Sequence, residues 1–136
     1  MDFSESIQPG LTAEKRFRVE EQHSALQVGS GGVPVLATPW MIAFMENVAF
    51  NLLESTLPDE ASSVGVLVEV HHLAPTPIGA AVRIQAEVTE VEGSRVSFNL
   101  QAWDEQETIG SGQHQRVIIE KQRFLKRVNQ KEIDNE

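Results

Sequence analysis

The 136-residue chain contains no cysteine. This absence excludes disulfides, metal sites built from thiolates and a cysteine nucleophile, and it agrees with a reducing compartment. No apolar run approaches the roughly 20 residues that a membrane-spanning helix needs. Residues 1–10 (MDFSESIQPG) lack the basic and apolar regions of a signal peptide. We therefore expect a cytoplasmic protein without a membrane partner.

Basic residues are few: 11 Lys and Arg stand against 20 Asp and Glu, which gives a net charge of −9 at pH 7. A chain this acidic repels nucleic acid and anionic membranes unless it carries a local basic site. The stretch GSGG at residues 29–32 lacks the lysine and the strand context of a phosphate-binding loop. His71 and His72 are adjacent, so on a strand they face opposite sides and cannot chelate one metal together. We therefore expect no nucleic-acid partner, no phosphate-binding loop and no metal held by this histidine pair.

Length and composition indicate one folded domain. A chain of 136 residues can bury one hydrophobic core, and its apolar fraction of 40% and charged fraction of 23% are ordinary for a globular protein. We expect a single domain over residues 1–136, with flexible ends at residues 1–10 and about 128–136.

Most of residues 33–55 has the pattern of one amphipathic helix, which starts abruptly at Thr38 and Pro39. Thr38 is a good N-cap, and Pro39 suits the first helical position. Seven apolar residues recur at helical spacing and form one stripe, which we expect to face the core. They are Met41, Phe44, Met45, Val48, Ala49, Leu52 and Leu53.

Most of the remaining chain shows the patterning of β-strands. A strand-like core lies within residues 11–26, and apolar and polar residues alternate over residues 63–73, 81–91, 95–103 and 108–119. Short connections join the last four segments, which favours antiparallel neighbours. Only one helix is long enough to cover the apolar face of the resulting sheet. We therefore predict an α+β fold, with an antiparallel sheet of about five strands wrapped around one central helix.

Three polar residues have unusual positions in this pattern. Glu46 falls at the edge of the apolar stripe, where a carboxylate suits a general base, although a solvated flank glutamate is the simpler interpretation. His72 extends the valine face (Val64, Val66, Val68 and Val70) of its strand; it is either a satisfied core histidine or part of a site at the rim. Thr38 is either only a cap or a reactive hydroxyl at the positive end of the helix dipole.

Further candidates lie on the last strand and on the helix. His114 and Arg116 share one face, after two glycines that permit a bulge or a close backbone approach. For His114 the simpler interpretation is a place on the polar outer face of the strand. Arg116 would bind an anion or hold Glu46. Ile42, beside Glu46 on the helix flank, is an expected wall of a substrate pocket.

Two parts of the sequence, VLATPWMIAFMENVAF and the stretch from VGVLVEVHHLAPTPIG to IGSGQHQRVII, resemble the hotdog-fold thioesterase superfamily. Within it, the likeness is to the fluoroacetyl-CoA thioesterase-like group and covers roughly residues 33–119. Its most specific pieces are a Thr that opens the helix with a Glu eight residues on, H-x-A-x-T-P-x-G at residues 72–79, VEGSR and IGSGxHxR.

The resemblance implies a catalytic constellation of Thr38, Glu46 and His72. It further implies that Gly65 takes part in substrate placement, and it matches Arg116 to the arginine of the last-strand motif. It also implies acyl-CoA substrates, no metal or cofactor, and homodimers whose sheets join edge to edge, with each active site at the subunit interface. Hydrolysis of acyl-CoA thioesters is the expected activity; a non-catalytic acyl-CoA binding module and a hydroxyacyl thioester dehydratase are the alternatives.

One departure from the group concerns the substrate. The fluoroacetyl-specific enzymes resemble one another in an aromatic lid just before the helix, whereas residues 18–37 contain no Phe, Trp or Tyr. We therefore expect short-to-medium or aryl acyl-CoAs to be better substrates than acetyl-CoA, with little preference for fluoroacetyl over acetyl. Arg116 or the cations of residues 121–127 are expected to hold the phosphates of CoA.

Overall fold

The structure, a computed structural model, describes residues 6–133. Within them lie five strands, β1 (Thr12–Arg18), β2 (Ala61–His72), β3 (Ala81–Glu92), β4 (Arg95–Trp103) and β5 (Thr108–Glu120). The helices are a 3₁₀ turn (Glu21–His23), α1 (Ala25–Val28), α2 (Thr38–Glu54) and α3 (Lys121–Asn129).

All five strands form one antiparallel sheet in the order β1-β3-β4-β5-β2. The connections from β3 to β4 and from β4 to β5 are short, so these strands pair as hairpins, as predicted. β2 and β3 are not neighbours, although their short connection favoured this; β2 pairs with β5 instead and thereby becomes an edge of the sheet. The strand that leads away from the long helix therefore has one side open for pairing.

The central helix α2 packs across the inner face of the sheet. The seven residues of its predicted stripe are all 5% exposed or less. They meet the inward residues of β3 and β4, among them Ile84, Phe98 and Leu100. Full burial of such side chains contributes about 1.5–3 kcal/mol each, which makes this layer the main source of stability.

The start of α2 differs from the prediction. The N-cap is Ala37, which offers no capping side chain, and Thr38 is the first helical residue. The backbone carbonyl of Ala37 accepts from the N–H groups of Trp40 and Met41 at 3.0 Å each. Pro39 has no N–H, so one donor that a cap would otherwise serve is missing. The predicted capping role of Thr38 is wrong, and its hydroxyl is available for another contact.

β2 contains a bulge that the alternation of its valines conceals. Gly65 pairs with Arg116 and Leu67 with Gln115, so Val66 is the extra residue. Because of this extra residue, every residue on the N-terminal side of the bulge lies on the opposite face from the one that regular alternation predicts. Gly65 therefore lies on the helix side together with His72, although regular alternation placed the two on opposite faces.

β5 also carries its polar residues on an unexpected face. His114 is 0% exposed and Arg116 is 6% exposed, and both lie on the helix side of the sheet. The prediction of an outer-face His114 is wrong. The two glycines that precede it leave room for apolar neighbours, because a Cβ at Gly110 would lie 2.6 Å from Met41 Sδ and one at Gly112 would meet Val70.

The first described residues pack against the core of the sheet. Ile7 is 0% exposed and belongs to the hydrophobic core. The backbone N–H of Gly10 donates to the carbonyl of Val88 at 2.8 Å. At the other end, α3 begins directly after β5 and its side chains are largely exposed. Residues 1–5 and 134–136 of the expected flexible ends lie outside the described residues.

Candidate active site

A hydroxyl and an imidazole meet where α2 begins and β2 ends. Thr38 Oγ1 lies 2.7 Å from His72 Nδ1, although the two residues are 34 positions apart. His72 lies at the last position of β2, on the helix side of the sheet. Its other nitrogen, Nε2, is buried and has no hydrogen-bond partner among the described residues. The pair thus leaves one unused polar atom for a ligand.

The protonation of His72 suits proton transfer. Burial lowers the pKa of His72 from its ordinary value of 6.5. The imidazole is therefore neutral at pH 7 and can accept the hydroxyl proton of Thr38. In that tautomer Nε2 carries a hydrogen and donates toward whatever occupies the site.

A cavity of about 370 Å³ opens beside this pair. Its walls come from the segment between α1 and α2 on one side and from residues 72–75 on the other, and both Thr38 and His72 line it. Val33 and Leu73, two further lining residues, are 57% and 58% exposed. Exposed apolar side chains at the walls of an open cavity indicate a binding site for an apolar group.

A second polar cluster lies farther along α2. Arg116 Nη1 approaches Glu46 Oε2 at 3.4 Å, and the glutamate side chain is 42% exposed. Arg116 also donates through Nε to the Ser63 hydroxyl at 2.8 Å and through Nη2 to the Ser63 carbonyl at 3.1 Å. Arg116 is only 6% exposed and its donors face Ser63 and Glu46, so it is not open to a CoA phosphate in solvent. Of the two roles predicted for Arg116, the geometry supports the one of holding Glu46.

Gly65 allows the Glu46 carboxylate to lie against the strand. A Cβ at position 65 would be 2.6 Å from Glu46 Oε2 and 3.3 Å from His114 Cε1. Real side chains do not come this close, so only glycine leaves this place to the carboxylate. The resemblance matched Gly65 to substrate placement, and in the structure its direct neighbour is the candidate base.

The two clusters are not joined within one chain. Thr38 and Glu46 are eight residues apart on α2, which corresponds to about 12 Å along the helix axis. Glu46 contacts Arg116 and Gly65, whereas Thr38 contacts His72. A carboxylate at this separation cannot take a proton directly from the Thr38 hydroxyl of the same chain.

Ile42, the predicted pocket wall, is half-buried on α2 between the two clusters and does not line the cavity beside Thr38. Ala49 and Leu53, which also follow the apolar stripe, are 0% exposed and belong to the core. The cavity walls come from the segment before α2 and not from the flank of the helix.

Sequence reasoning missed Ser63 and the buried role of His114. His114 Nδ1 lies 2.8 Å from the carbonyl oxygen of Leu67, and Nε2 lies 3.2 Å from Arg116 Nη1. The available signal was parity, because Ile118, Arg116 and His114 alternate on one face of the strand. It was obscured because glycines occupy the preceding positions of that face.

The described residues 6–133 include no group of three or more His, Asp or Glu side chains that could hold a metal ion. Among the same residues, no helix has the length and apolar character needed to cross a membrane.

The fold and the site together define a class. A single helix against an antiparallel sheet, with a hydroxyl–imidazole pair at one end of the edge strand and a carboxylate near the other, is a hotdog protein equipped for thioester chemistry. The family model described as fluoroacetyl-CoA-specific thioesterase (FlK) matches residues 19–122. The chain belongs to this family.

Individual proteins are also similar to this chain in sequence or in structure. A fluoroacetyl-CoA thioesterase from Streptantibioticus cattleyicolor is 37% identical over 97 residues, which make up 71% of this chain and 70% of that protein. A structure of the fluoroacetyl-CoA thioesterase FlK matches with a TM-score of 0.89 at 29% identity, covering 93% of this chain and 98% of that chain. A hot-dog-like protein from Thermanaerovibrio acidaminovorans matches with a TM-score of 0.87 at 30% identity, covering 94% and 95%. The predictions of an α+β hotdog fold and of an acyl-CoA thioesterase are thereby confirmed.

Proposed function

We propose that the protein hydrolyses short-to-medium or aryl acyl-CoA thioesters in the cytoplasm, with Thr38, His72 and Glu46 as its catalytic residues. The observation that carries this proposal is the 2.7 Å contact between Thr38 Oγ1 and His72 Nδ1. This contact lies in the wall of an apolar cavity, and His72 Nε2 is buried there without a hydrogen-bond partner in residues 6–133. A hydroxyl next to a neutral imidazole is the arrangement that acyl transfer requires.

The geometry suggests a division of labour. The Thr38 oxygen attacks the thioester carbonyl carbon while its proton passes to His72 Nδ1. The C–S bond then breaks, and the departing thiolate takes a proton from the imidazolium. Water, deprotonated by Glu46, attacks the acyl carbon, the bond to the Thr38 oxygen breaks, and that oxygen takes up the proton as the acid leaves. In a direct route the same carboxylate activates the water at once, and Thr38 and His72 orient the thioester.

We further propose a homodimer in which two β2 edges pair. In the single chain the middle of this edge exposes Val66 (49%) and Val68 (37%), an apolar surface that pairing would cover. A two-fold axis at Glu69, with Val66 again as the extra residue of the strand, brings Gly65 of one protomer opposite His72 of the partner subunit and keeps both on the helix side. The Glu46 carboxylate beside Gly65 then faces the hydroxyl–imidazole pair of the other protomer, which closes the 12 Å gap estimated above.

The open cavity supports larger acyl groups. Glycine and serine make up the GSGG stretch at residues 29–32, and Ser30 and Gly31 line the cavity. They place no bulky side chain over the substrate, so a small fluoroacetyl group would find no close fit. Each methylene buried against the apolar walls contributes about 0.8 kcal/mol to binding. We therefore propose that butyryl and phenylacetyl thioesters are used better than acetyl thioesters.

The phosphates of CoA need cations on this acidic chain, and Arg116 is engaged elsewhere. The remaining candidates are the exposed cations of α3. Arg123 and Arg127 line a surface cavity of about 220 Å³ together with Phe124. Replacing both arginines with alanine should raise KM for an acyl-CoA but leave KM for the corresponding pantetheine thioester unchanged. An equal rise for both thioesters would contradict a role of α3 in binding the nucleotide.

Release of free thiol from acetyl-, fluoroacetyl-, butyryl- and phenylacetyl-CoA tests the proposal. We expect turnover that rises from acetyl to the larger groups, and a loss of about 10²- to 10⁴-fold in Glu46→Gln. Binding without thiol release would identify a non-catalytic binding module. A large preference for fluoroacetyl over acetyl would contradict the proposed substrate class.

The dimer is tested separately by light scattering at micromolar concentration. We expect the mass of two chains. In addition, mixing Thr38→Val with Glu46→Gln subunits should restore part of the activity, because one of the two shared sites in each mixed dimer is then intact. A monomer, or a mixture no more active than its components, would contradict a site shared between subunits.

A further inference from the structure

His114 is a buried titratable side chain that the proposed mechanism does not use. Its side chain is 0% exposed, and its ring packs at 5.9 Å from that of Phe98. Both ring nitrogens are engaged: Nδ1 lies 2.8 Å from the carbonyl oxygen of Leu67, and Nε2 lies 3.2 Å from Arg116 Nη1. A polar ring with two specific partners in the core has a defined orientation.

These two contacts require the same protonation state. The carbonyl of Leu67 can only accept, so His114 Nδ1 carries the hydrogen. The guanidinium of Arg116 can only donate, so Nε2 is the acceptor. Burial is the main cause that lowers the pKa of His114, and the charge of Arg116 acts in the same direction. The Leu67 carbonyl and Glu46 oppose the shift, and its overall direction favours the neutral imidazole.

Each of the two His114 contacts fixes one neighbour of the Glu46 carboxylate. Leu67 directly follows the bulge residue Val66, so the bond to its carbonyl holds β2 in the register that turns Gly65 toward the helix. On the other side, Arg116 Nη1 has two hydrogens. One is directed to His114 Nε2 and the other to Glu46 Oε2 at 3.4 Å.

We propose that His114 is a positioning residue for the proposed hydrolysis: its imidazole ties the bulge of β2 to Arg116 and thereby fixes the place of the Glu46 carboxylate. This inference rests on the proposed function, because Glu46 is the base in that reaction. His114 is 0% exposed, so it would act through Arg116 and the strand and not by contact with the substrate.

A double-mutant cycle with His114→Asn and Glu46→Gln tests this role. The asparagine amide can still donate to the Leu67 carbonyl, but it ends short of Arg116. We expect H114N to lower kcat by about tenfold, with a smaller change in KM, because a displaced carboxylate affects the chemical step. In the E46Q background the same change should lower kcat by less than about twofold, since the two residues act in one chain of contacts.

The control is Gln113→Asn, on the exposed opposite face of the same strand, which should leave kcat unchanged. If H114N lowers kcat by the same factor in both backgrounds, His114 acts on stability or on another group, and the proposal is wrong. It is also wrong if H114N has the kcat of the wild type.

Nitrogen NMR of the wild-type protein tests the contacts without any variant. We expect the His114 imidazole to stay neutral with its hydrogen on Nδ1 between pH 6 and pH 8. A hydrogen on Nε2, or a doubly protonated ring in this range, would rule out acceptance from Arg116. If the wild type released no thiol from any acyl-CoA, the proposed function would fail, whereas the NMR result would still decide the arrangement of the contacts.

Discussion

Substitution of Gly65 by alanine should displace the Glu46 carboxylate without a large change in the stability of the fold. The new Cβ would lie 2.6 Å from Glu46 Oε2, and ordinary contact begins at 3.4 Å. The carboxylate must therefore move by about 0.8 Å, and it can do so because it is the free end of a flexible, 42% exposed side chain. A misplacement of about 1 Å in a catalytic group can cost about 10²-fold in rate, so we expect kcat to fall by that order.

The stability of Gly65→Ala should change little. Gly65 has no positive φ, so alanine fits its backbone and reduces the entropy of the unfolded chain, which contributes about 0.4–1 kcal/mol. A small displacement of the His114 ring offsets part of this gain. For 136 residues the entropy of unfolding is about 0.29 kcal/mol/K, so 1 kcal/mol corresponds to about 3.5 °C. We expect Tm to stay within about 4 °C of the wild type.

Gly112→Ala provides the contrast. Its Cβ would meet the carbonyl oxygen of Glu69 and the Cα of Val70, which belong to the backbone of the neighbouring strand. Overpacking of this kind costs about 1–3 kcal/mol, so Tm should fall by about 4–10 °C. Thiol release and thermal unfolding measured on both variants show whether a loss of kcat comes from the moved carboxylate or from lost stability. A Gly65→Ala protein with wild-type kcat would refute the importance of the carboxylate position, and one with a Tm more than 10 °C lower would refute the assumed freedom of Glu46.

Thr38→Val should lower kcat by at least about 10²-fold, yet change the free energy of unfolding by less than about 1 kcal/mol, because Thr38 is not a cap; a large loss in chemical denaturation would restore the capping interpretation. His72→Ala should reduce thiol release far more than His71→Ala, since only His72 faces the helix, and equal effects would contradict the register of β2. Burial lowers the folded-state pKa of both His72 and His114 below 6.5, so the unfolded chain binds more protons as the pH falls. The Tm of the wild type should therefore decrease from pH 7.5 to pH 5.5, and the amount by which the Tm of His114→Asn lies below it should become smaller over that range. A Tm difference independent of pH would show that His114 has the same pKa in the folded and the unfolded state.

The regular part of the fold was predictable from alternation alone. Residues 81–88 of β3 and 95–102 of β4 alternate between one apolar and one polar face, so Val82, Ile84, Phe98 and Leu100 could be assigned to the core from the sequence alone. Irregular positions gave no such signal. In β2 every second residue from Val64 to Val70 is a valine, straight across the bulge, so the sequence pattern gives no sign that Val66 is an extra residue.

The candidate site was predictable only in part. Thr38, Glu46 and His72 were each open to a simpler interpretation when taken alone, and the resemblance gave them a common role. The contact between Thr38 and His72 links residues 34 positions apart, which no local pattern reports. The separation of Thr38 from Glu46, in contrast, follows from helix geometry, since eight residues advance a helix by about 12 Å.

The bulge in β2 explains how both halves of the site face the helix. Gly65 and His72 are seven positions apart in the sequence, and an odd separation on a regular strand places two residues on opposite faces. The extra residue Val66 removes this conflict, so that Gly65 receives the Glu46 carboxylate while His72 receives the Thr38 hydroxyl. The same strand is the open edge of the sheet, and in the proposed dimer its pairing sets the distance between the carboxylate of one protomer and the imidazole of the other. A single irregularity in one edge strand thus determines both the composition of each cluster and the way in which two copies of the chain would complete the site.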